Sequence, residues 1–106
     1  MADYVVIARW TAKAGEEEAV ARALAELVPL SRAEPGMVVY QVHRDRENPR
    51  AFVIYERYVD AEAYDAHLRS EHIQRLGFGD AIPRLECRER DFLEPWEPGP
   101  HSVGAA

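Results

Sequence analysis

Met37-Val38-Val39-Tyr40-Gln41-Val42-His43-Arg44, the polar turn Asp45 to Pro49, and Phe52-Val53-Ile54-Tyr55-Glu56-Arg57-Tyr58-Val59 decide the fold. Both outer runs are rich in β-branched and aromatic residues, and the turn between them is short. Residues 37–44 and 51–59 therefore read as the two strands of an antiparallel hairpin. Successive side chains of a strand point to opposite faces. A sheet with one wet face should alternate apolar and polar residues. Here Phe52 and Ile54 oppose Val53 and Tyr55, and Val38, Tyr40 and Val42 oppose Met37 and Val39. Both faces of the hairpin are apolar.

Outward from the hairpin the remaining elements follow. Tyr4-Val5-Val6-Ile7 begins a strand over 4–11 with the same two-sided character. Gly15 punctuates the chain, and Glu16, Glu17 and Glu18 suit the positive end of a helix dipole. Val20, Ala23, Leu24, Leu27 and Val28 recur at three- and four-residue steps, which predicts an amphipathic helix over 16–28. Pro29 should kink or end it, with a last turn over Leu30 to Ala33 before Glu34-Pro35-Gly36 breaks the chain. Asp60 is a good N-cap for a helix reaching about Arg69, with Tyr64 and Leu68 on one face. Ser70 restarts a short helix carrying Ile73 and Leu76, which Gly77 and Gly79 should end. Residues 84–93 read as a last strand.

The order strand, helix, strand, strand, helix pair, strand is an α+β arrangement of the ferredoxin-like split β-α-β kind, an antiparallel sheet with helices on one face. Residues 1–93 form one domain, and 94–106 a Pro-rich C-terminal tail that is loose beyond Trp96. Helices on one side leave the other apolar face uncovered. A homodimer packed through that open sheet face is the expected remedy, against the plainer one of the C-terminal tail folding back over it.

The chain has 106 residues and a formal net charge of −6. An acidic chain gains nothing from phosphate contacts, so nucleic acid and anionic membrane surfaces are not expected partners. No apolar run approaches the ~20 residues needed to span a bilayer, and no secretion signal is visible. The arginines are scattered among acids and mark no patch. Cys87 is the single cysteine, which fits a reducing, cytoplasmic setting and excludes an internal disulfide. It reads as a small buried residue.

Histidine suits proton transfer at neutral pH because its ordinary pKa is ~6.5. His67 is a candidate base beside the Tyr64/Leu68 stripe, against the plainer reading of a half-buried helix histidine. His72, after Ser70 and Glu71, is a second candidate base, against a simple helix-start residue. His43 ends a strand and His101 lies in the tail; neither is expected to act. His67 and His72 are five apart, off the useful helical spacings of three and four; a break at Ser70 could bring them together, yet no third ligand is evident, so no metal is expected. Tyr55, Tyr64 and Tyr4 are candidate pocket residues, since a phenol stacks on an aromatic ring and donates to its oxygen, although core packing suits each as well. Arg9 is a candidate pocket cation, able with Arg57 to hold a charged substrate. Glu56 is a charge in an apolar strand and needs a partner. Arg9, Arg44 or an arginine across a dimer would serve, which gives Glu56 a structural interface role.

The segments Ser31-Arg32-Ala33-Glu34-Pro35-Gly36, His43-Arg44-Asp45 to Asn48-Pro49 and Phe52-Val53-Ile54-Tyr55-Glu56, followed by Asp60 and then His67, Ser70 and His72, resemble the antibiotic biosynthesis monooxygenase domain, more narrowly its quinol monooxygenase-like branch. The likeness runs from about residue 4 to residue 93. It implies a dimeric α+β barrel and cofactor-independent oxygenation, by O2, of a small electron-rich aromatic such as a quinol or anthrone. The same fold also hosts haem degraders and an isomerase. Haem degraders carry an asparagine on the first strand and a tryptophan on the third, where this chain has Ala8 and Tyr55. No glycine-rich loop suggests a flavin or nicotinamide. The expected activity is thus a cofactor-free monooxygenase using His67 or His72 as base. An isomerase of a small hydroxy-ketone using the same histidines, or a non-catalytic small-ligand binder, is the alternative.

Overall fold

The computed structural model describes residues 3–98; Met1, Ala2 and the segment 99–106, with the tail from Gly99 onward and His101, lie outside the described residues. Strand β1 (Tyr4–Ala12) leads to helix α1 (Glu17–Arg32), the hairpin strands β2 (Met37–Arg44) and β3 (Ala51–Tyr58), and helix α2 (Ala61–Arg69). A π-helix (Ile73–Ala81), a short 3-10 turn (Ile82–Arg84) and strand β4 (Leu85–Leu93) complete the order. The sheet order is β2-β3-β1-β4, with every neighbouring pair antiparallel. This is the α+β, ferredoxin-like plan expected from the sequence.

Register fixes which residues meet. Val6 stands opposite Glu56 of β3 and Phe92 of β4, Trp10 opposite Phe52 and Arg88, and Tyr40 opposite Glu56. On the helix-covered face Ala8, Trp10, Tyr40, Phe52 and Ile54 pack with Val20, Leu24 and Leu27 of α1 and with Ile73 and Leu76 of the π-helix. A second cluster joins Val6, Tyr58 and Tyr64. Asp60 caps α2 as expected, its carboxylate accepting from the Ala63 N–H at 2.8 Å.

Helix α1 runs through Pro29 to Arg32, with the last turn expected beyond the proline, and two other local expectations are corrected. Pro29 is on the exposed side, where the carbonyl it leaves without a donor can turn to water, and the Ala33 N–H picks up the Pro29 carbonyl at 3.2 Å. Gly77 and Gly79 do not end the short helix; they lie inside the π-helix. A Cβ at Gly77 would come within 2.8 Å of Ile73 Cδ1, so the missing side chain is what lets this wide turn close on itself. Cys87 is exposed, not buried. It pairs with Thr11 on the sheet face opposite the helices. Among the described residues no helix is long and apolar enough to cross a membrane.

Candidate active site

The Glu34-Pro35-Gly36 turn follows α1 directly. Gly36 lets it press against α2: a Cβ there would collide with the Cβ of Ala63, and the Gly36 carbonyl accepts from Val59 N–H at 3.0 Å. The close approach sets the Glu34 side chain against the inward face of α2. On that face His67 is only 2% exposed, and its Nδ1 lies 2.7 Å from Glu34 Oε2. Ser70 then turns the chain. Its hydroxyl donates to the His67 carbonyl at 2.6 Å and accepts from the Ile73 N–H at 3.3 Å. The turn brings His72 back to the same acceptor, with Nε2 2.6 Å from Glu34 Oε2.

Two imidazole nitrogens thus share one carboxylate oxygen. A carboxylate only accepts hydrogen bonds, so the nitrogens facing it carry hydrogens. In the neutral ring these bonds assign His67 the Nδ1–H tautomer, with the lone pair on Nε2. The ring stands 5.5 Å from Tyr40 and 5.7 Å from Tyr58, centroid to centroid, at the wall of a cavity between sheet and helices. His72 does not reach that wall.

The cavity is small, with about 20 Å³ of room for water-sized groups inside a space of about 340 Å³ that includes its open mouth. Ala8, in the middle of β1, leaves the floor low. Tyr64 and Phe78 supply aromatic walls, and Trp10, Arg88 and Arg90 line the side toward β4. Arg90 donates to the Tyr64 hydroxyl at 3.1 Å, and the Arg88 guanidinium lies 5.3 Å from the centre of the Phe78 ring. Glu56 closes the other side and accepts from the Tyr58 hydroxyl at 2.5 Å. Burial pushes the Glu56 carboxyl above its ordinary range, against the opposing pull of the Tyr58 bond and of His67. Burial, and then the Glu56 charge, push the Tyr58 phenol far up, so it stays a donor. Burial lowers the Arg88 guanidinium, and the Arg90 charge adds to that.

Glu34, His67 and His72 each offer one ligand atom, all within 4.8 Å of one another. Two imidazoles and a carboxylate form a donor set that divalent first-row metals accept. The sequence reading found no third group to accompany the two histidines; Glu34 is that group. As the side chains stand, the carboxylate oxygen itself occupies the meeting point of both N–H groups. The two hydrogen bonds pair one nitrogen of each ring with that oxygen.

Of the residues named from sequence, His67 and Tyr64 line the cavity and His72 supports it through Glu34. Tyr4 shares their side of the sheet and packs 5.5 Å from the Tyr64 ring, but it borders a separate surface hollow with Phe92. Tyr55 and Arg9 belong to the opposite face. In β3 the buried residues are Phe52, Ile54, Glu56 and Tyr58, which turns Tyr55 away, and Arg9 is exposed 3.8 Å from Asp91. Glu56 is corrected too: its partner is Tyr58, not an arginine, and it faces the cavity rather than an interface. His43 is exposed, with Nδ1 3.3 Å from the Val53 carbonyl.

Sequence reasoning missed Glu34, Trp10, Arg88 and Arg90 as site residues. Arg88 and Arg90 left a usable signal, since two arginines at a two-residue step on a strand share a face. Glu34 left none, because its partners are more than thirty residues away.

The model of the antibiotic biosynthesis monooxygenase family matches residues 3–76. No curated protein matches the chain. Among solved structures, the protein PA3566 of Pseudomonas aeruginosa is 33% identical over 92% of this chain and 97% of that one, with a TM-score of 0.85. The protein SO0527 of Shewanella oneidensis is 30% identical over 89% and 91%, with a TM-score of 0.82. An antibiotic biosynthesis monooxygenase is 26% identical over 89% and 99%, with a TM-score of 0.84. A family match over residues 3–76, with a solved structure 33% identical over 92% of the chain, leads to one assignment: the chain belongs to the antibiotic biosynthesis monooxygenase family.

Proposed function

We propose that this protein is a cofactor-independent monooxygenase that oxidises a small electron-rich aromatic, of quinol or anthrone type, with O2. The observation that carries the reading is His67: a buried imidazole held through Nδ1 by Glu34, on a residue that lines an aromatic-walled cavity.

Reaction of O2 with a closed-shell molecule is spin-forbidden, so the substrate must first become a strong reductant. His67 Nε2 takes a proton from the substrate, and Glu34 holds the imidazolium that forms. The conjugated anion passes one electron to O2, and the radical pair recombines to a carbon-bound peroxide. For an anthrone-type methylene, the O–O bond then breaks with loss of water and leaves a carbonyl. One oxygen atom stays on carbon, and the other leaves with the two hydrogens the substrate gave up. All four electrons that O2 takes up come from the substrate. The protein supplies a base, a cavity poor in water, and donors for the anion. His72 does not touch the cavity; it is a positioning residue that fixes Glu34.

The apolar face with Ile7, Val53 and Tyr55 carries no helix, and a second copy packed sheet to sheet would cover it. A monomeric mass in solution at micromolar concentration would overturn that assembly.

Oxygen uptake with menadiol, corrected for its spontaneous oxidation, tests the chemistry. Metal-stripped wild type should remain active, and His67→Ala should lose activity. Uptake that disappears with chelator, or that survives both His67→Ala and His72→Ala, counts against the reading. Turnover of a hydroxy-ketone without oxygen consumption would favour the isomerase.

A further inference from the structure

Trp10 and Arg88 face each other across the β1–β4 ladder, and both reach the cavity wall. Trp10 is 4% exposed, yet among the described residues its indole Nε1 has no hydrogen-bond partner. Arg88 Nε, also withdrawn from solvent, has none either. Buried N–H groups are nearly always paired, and two unpaired donors on adjacent strands, at the wall of one cavity, call for an acceptor from outside the chain.

The charges point the same way. Arg88 and Arg90 bring two guanidinium groups to the cavity wall against one carboxyl, Glu56. Burial favours the neutral form of that carboxyl, and Arg88 has no ion-pair partner among the described residues. The cavity is therefore cationic although the chain as a whole is acidic. Its other polar groups, Glu56, His67 and the hydroxyls of Tyr40 and Tyr64, belong to β2, β3 and α2, and none of them bonds Trp10 Nε1 or Arg88 Nε.

We propose that Trp10 Nε1 and Arg88 Nε form the anion-binding end of this cavity and take an ionised oxygen on a small conjugated ring, an aryl oxide or enolate. The proposal deepens the oxygenase reading and rests on it for the identity of the ring. When a base removes a proton from one end of a conjugated hydroxy- or keto-aromatic, the charge appears on oxygen at the other end. Donors fixed at that second position stabilise the anion as it forms. Arg88 is held for this by its stacking on Phe78.

The test is calorimetric binding of 2-hydroxy-1,4-naphthoquinone, ionised at neutral pH, against 1,4-naphthoquinone, which has no ionised oxygen. Wild type should prefer the anion by about tenfold or more, the range of one or two charge-assisted hydrogen bonds. Arg88→Gln should abolish that preference and leave the neutral quinone unaffected. Trp10→Phe, which keeps most of the ring volume, should reduce it several-fold. Equal binding of the two ligands by wild type, or variants that weaken both equally, overturns the proposal. If Arg88→Gln does not fold, Trp10→Phe and the wild-type comparison still decide. Oxygen uptake is read separately. Anion preference without turnover retains this site and sinks the oxygenase reading, whereas turnover without anion preference sinks this site alone.

Discussion

Nδ1 of His67 and Oε2 of Glu34 lie 2.7 Å apart, across a sequence separation of 33 residues, with the histidine almost fully enclosed. This contact fixes the tautomer and the orientation of the ring. Glu34→Gln should therefore reduce kcat by about 10²-fold or more while changing KM little, because the amide can present its N–H to the ring and favour the wrong tautomer. The check is steady-state oxygen uptake across pH together with the 15N shifts of the His67 ring. A variant with unchanged kcat and unchanged tautomer would remove Glu34 from the machinery.

His72 shares the Glu34 oxygen without reaching the cavity. His72→Asn should cost less than His67→Asn, about tenfold against about 10²–10⁴-fold, the scale of general base catalysis. Single-turnover kinetics with both variants compares them. Equal losses would make the two histidines one unit.

Gly36 faces Ala63 at a separation no Cβ tolerates. Gly36→Ala should destabilise the fold by about 1–3 kcal/mol, as other overpacked sites do, and should also lower activity by moving Glu34 away from α2. Adding Ala63→Gly should recover part of the stability despite a helix-propensity cost of ~1 kcal/mol. Urea unfolding of the four proteins of this cycle measures the coupling. Strict additivity would show that the two Cβ positions do not meet.

Glu56 and Tyr58 form a buried acid–phenol pair. Burial raises the folded-state pKa of Glu56 above its unfolded value, so the folded protein binds more protons there than the unfolded one. Stability from this group is present at low pH and is lost as pH rises through the raised folded value. Glu56→Gln keeps an acceptor for Tyr58 and removes the charge. It should unfold at higher urea than wild type above that range, by on the order of 1 kcal/mol, and the gap should close as the solution becomes acidic. Tyr58→Phe strips the carboxyl of its donor and should destabilise by about 1–3 kcal/mol. A pH-independent difference between Glu56→Gln and wild type would show that the carboxyl does not titrate as its burial requires.

The strands of the hairpin and the cap at Asp60 were legible because each rests on neighbours within a few residues: alternation, β-branching, a short polar turn, a carboxylate three residues ahead of an N–H. The bounds of α1 and the π-helix were less so. Proline is a helix breaker only where the freed carbonyl has no other partner, and Pro29 lies on the wet side. Glycine ends a helix only where the chain turns away, and Gly77 sits where a side chain would strike Ile73.

Residue types put His67, His72 and Tyr64 forward; in the structure His67 and Tyr64 line one cavity, and His72 meets His67 only through Glu34. Tyr55 and Arg9 were named on chemistry without a face, and strand parity sends them to the other side of the sheet. By itself the sequence determined the order of elements, the two apolar sheet faces and the titratable groups available. Only the tertiary structure decided which of them meet. The Glu34–His67–His72 cluster and the Trp10–Arg88 pair depend on a turn packed against a helix and on a strand register, and their partners are dozens of residues apart. No local propensity encodes such contacts; they follow from close packing of distant segments around one core.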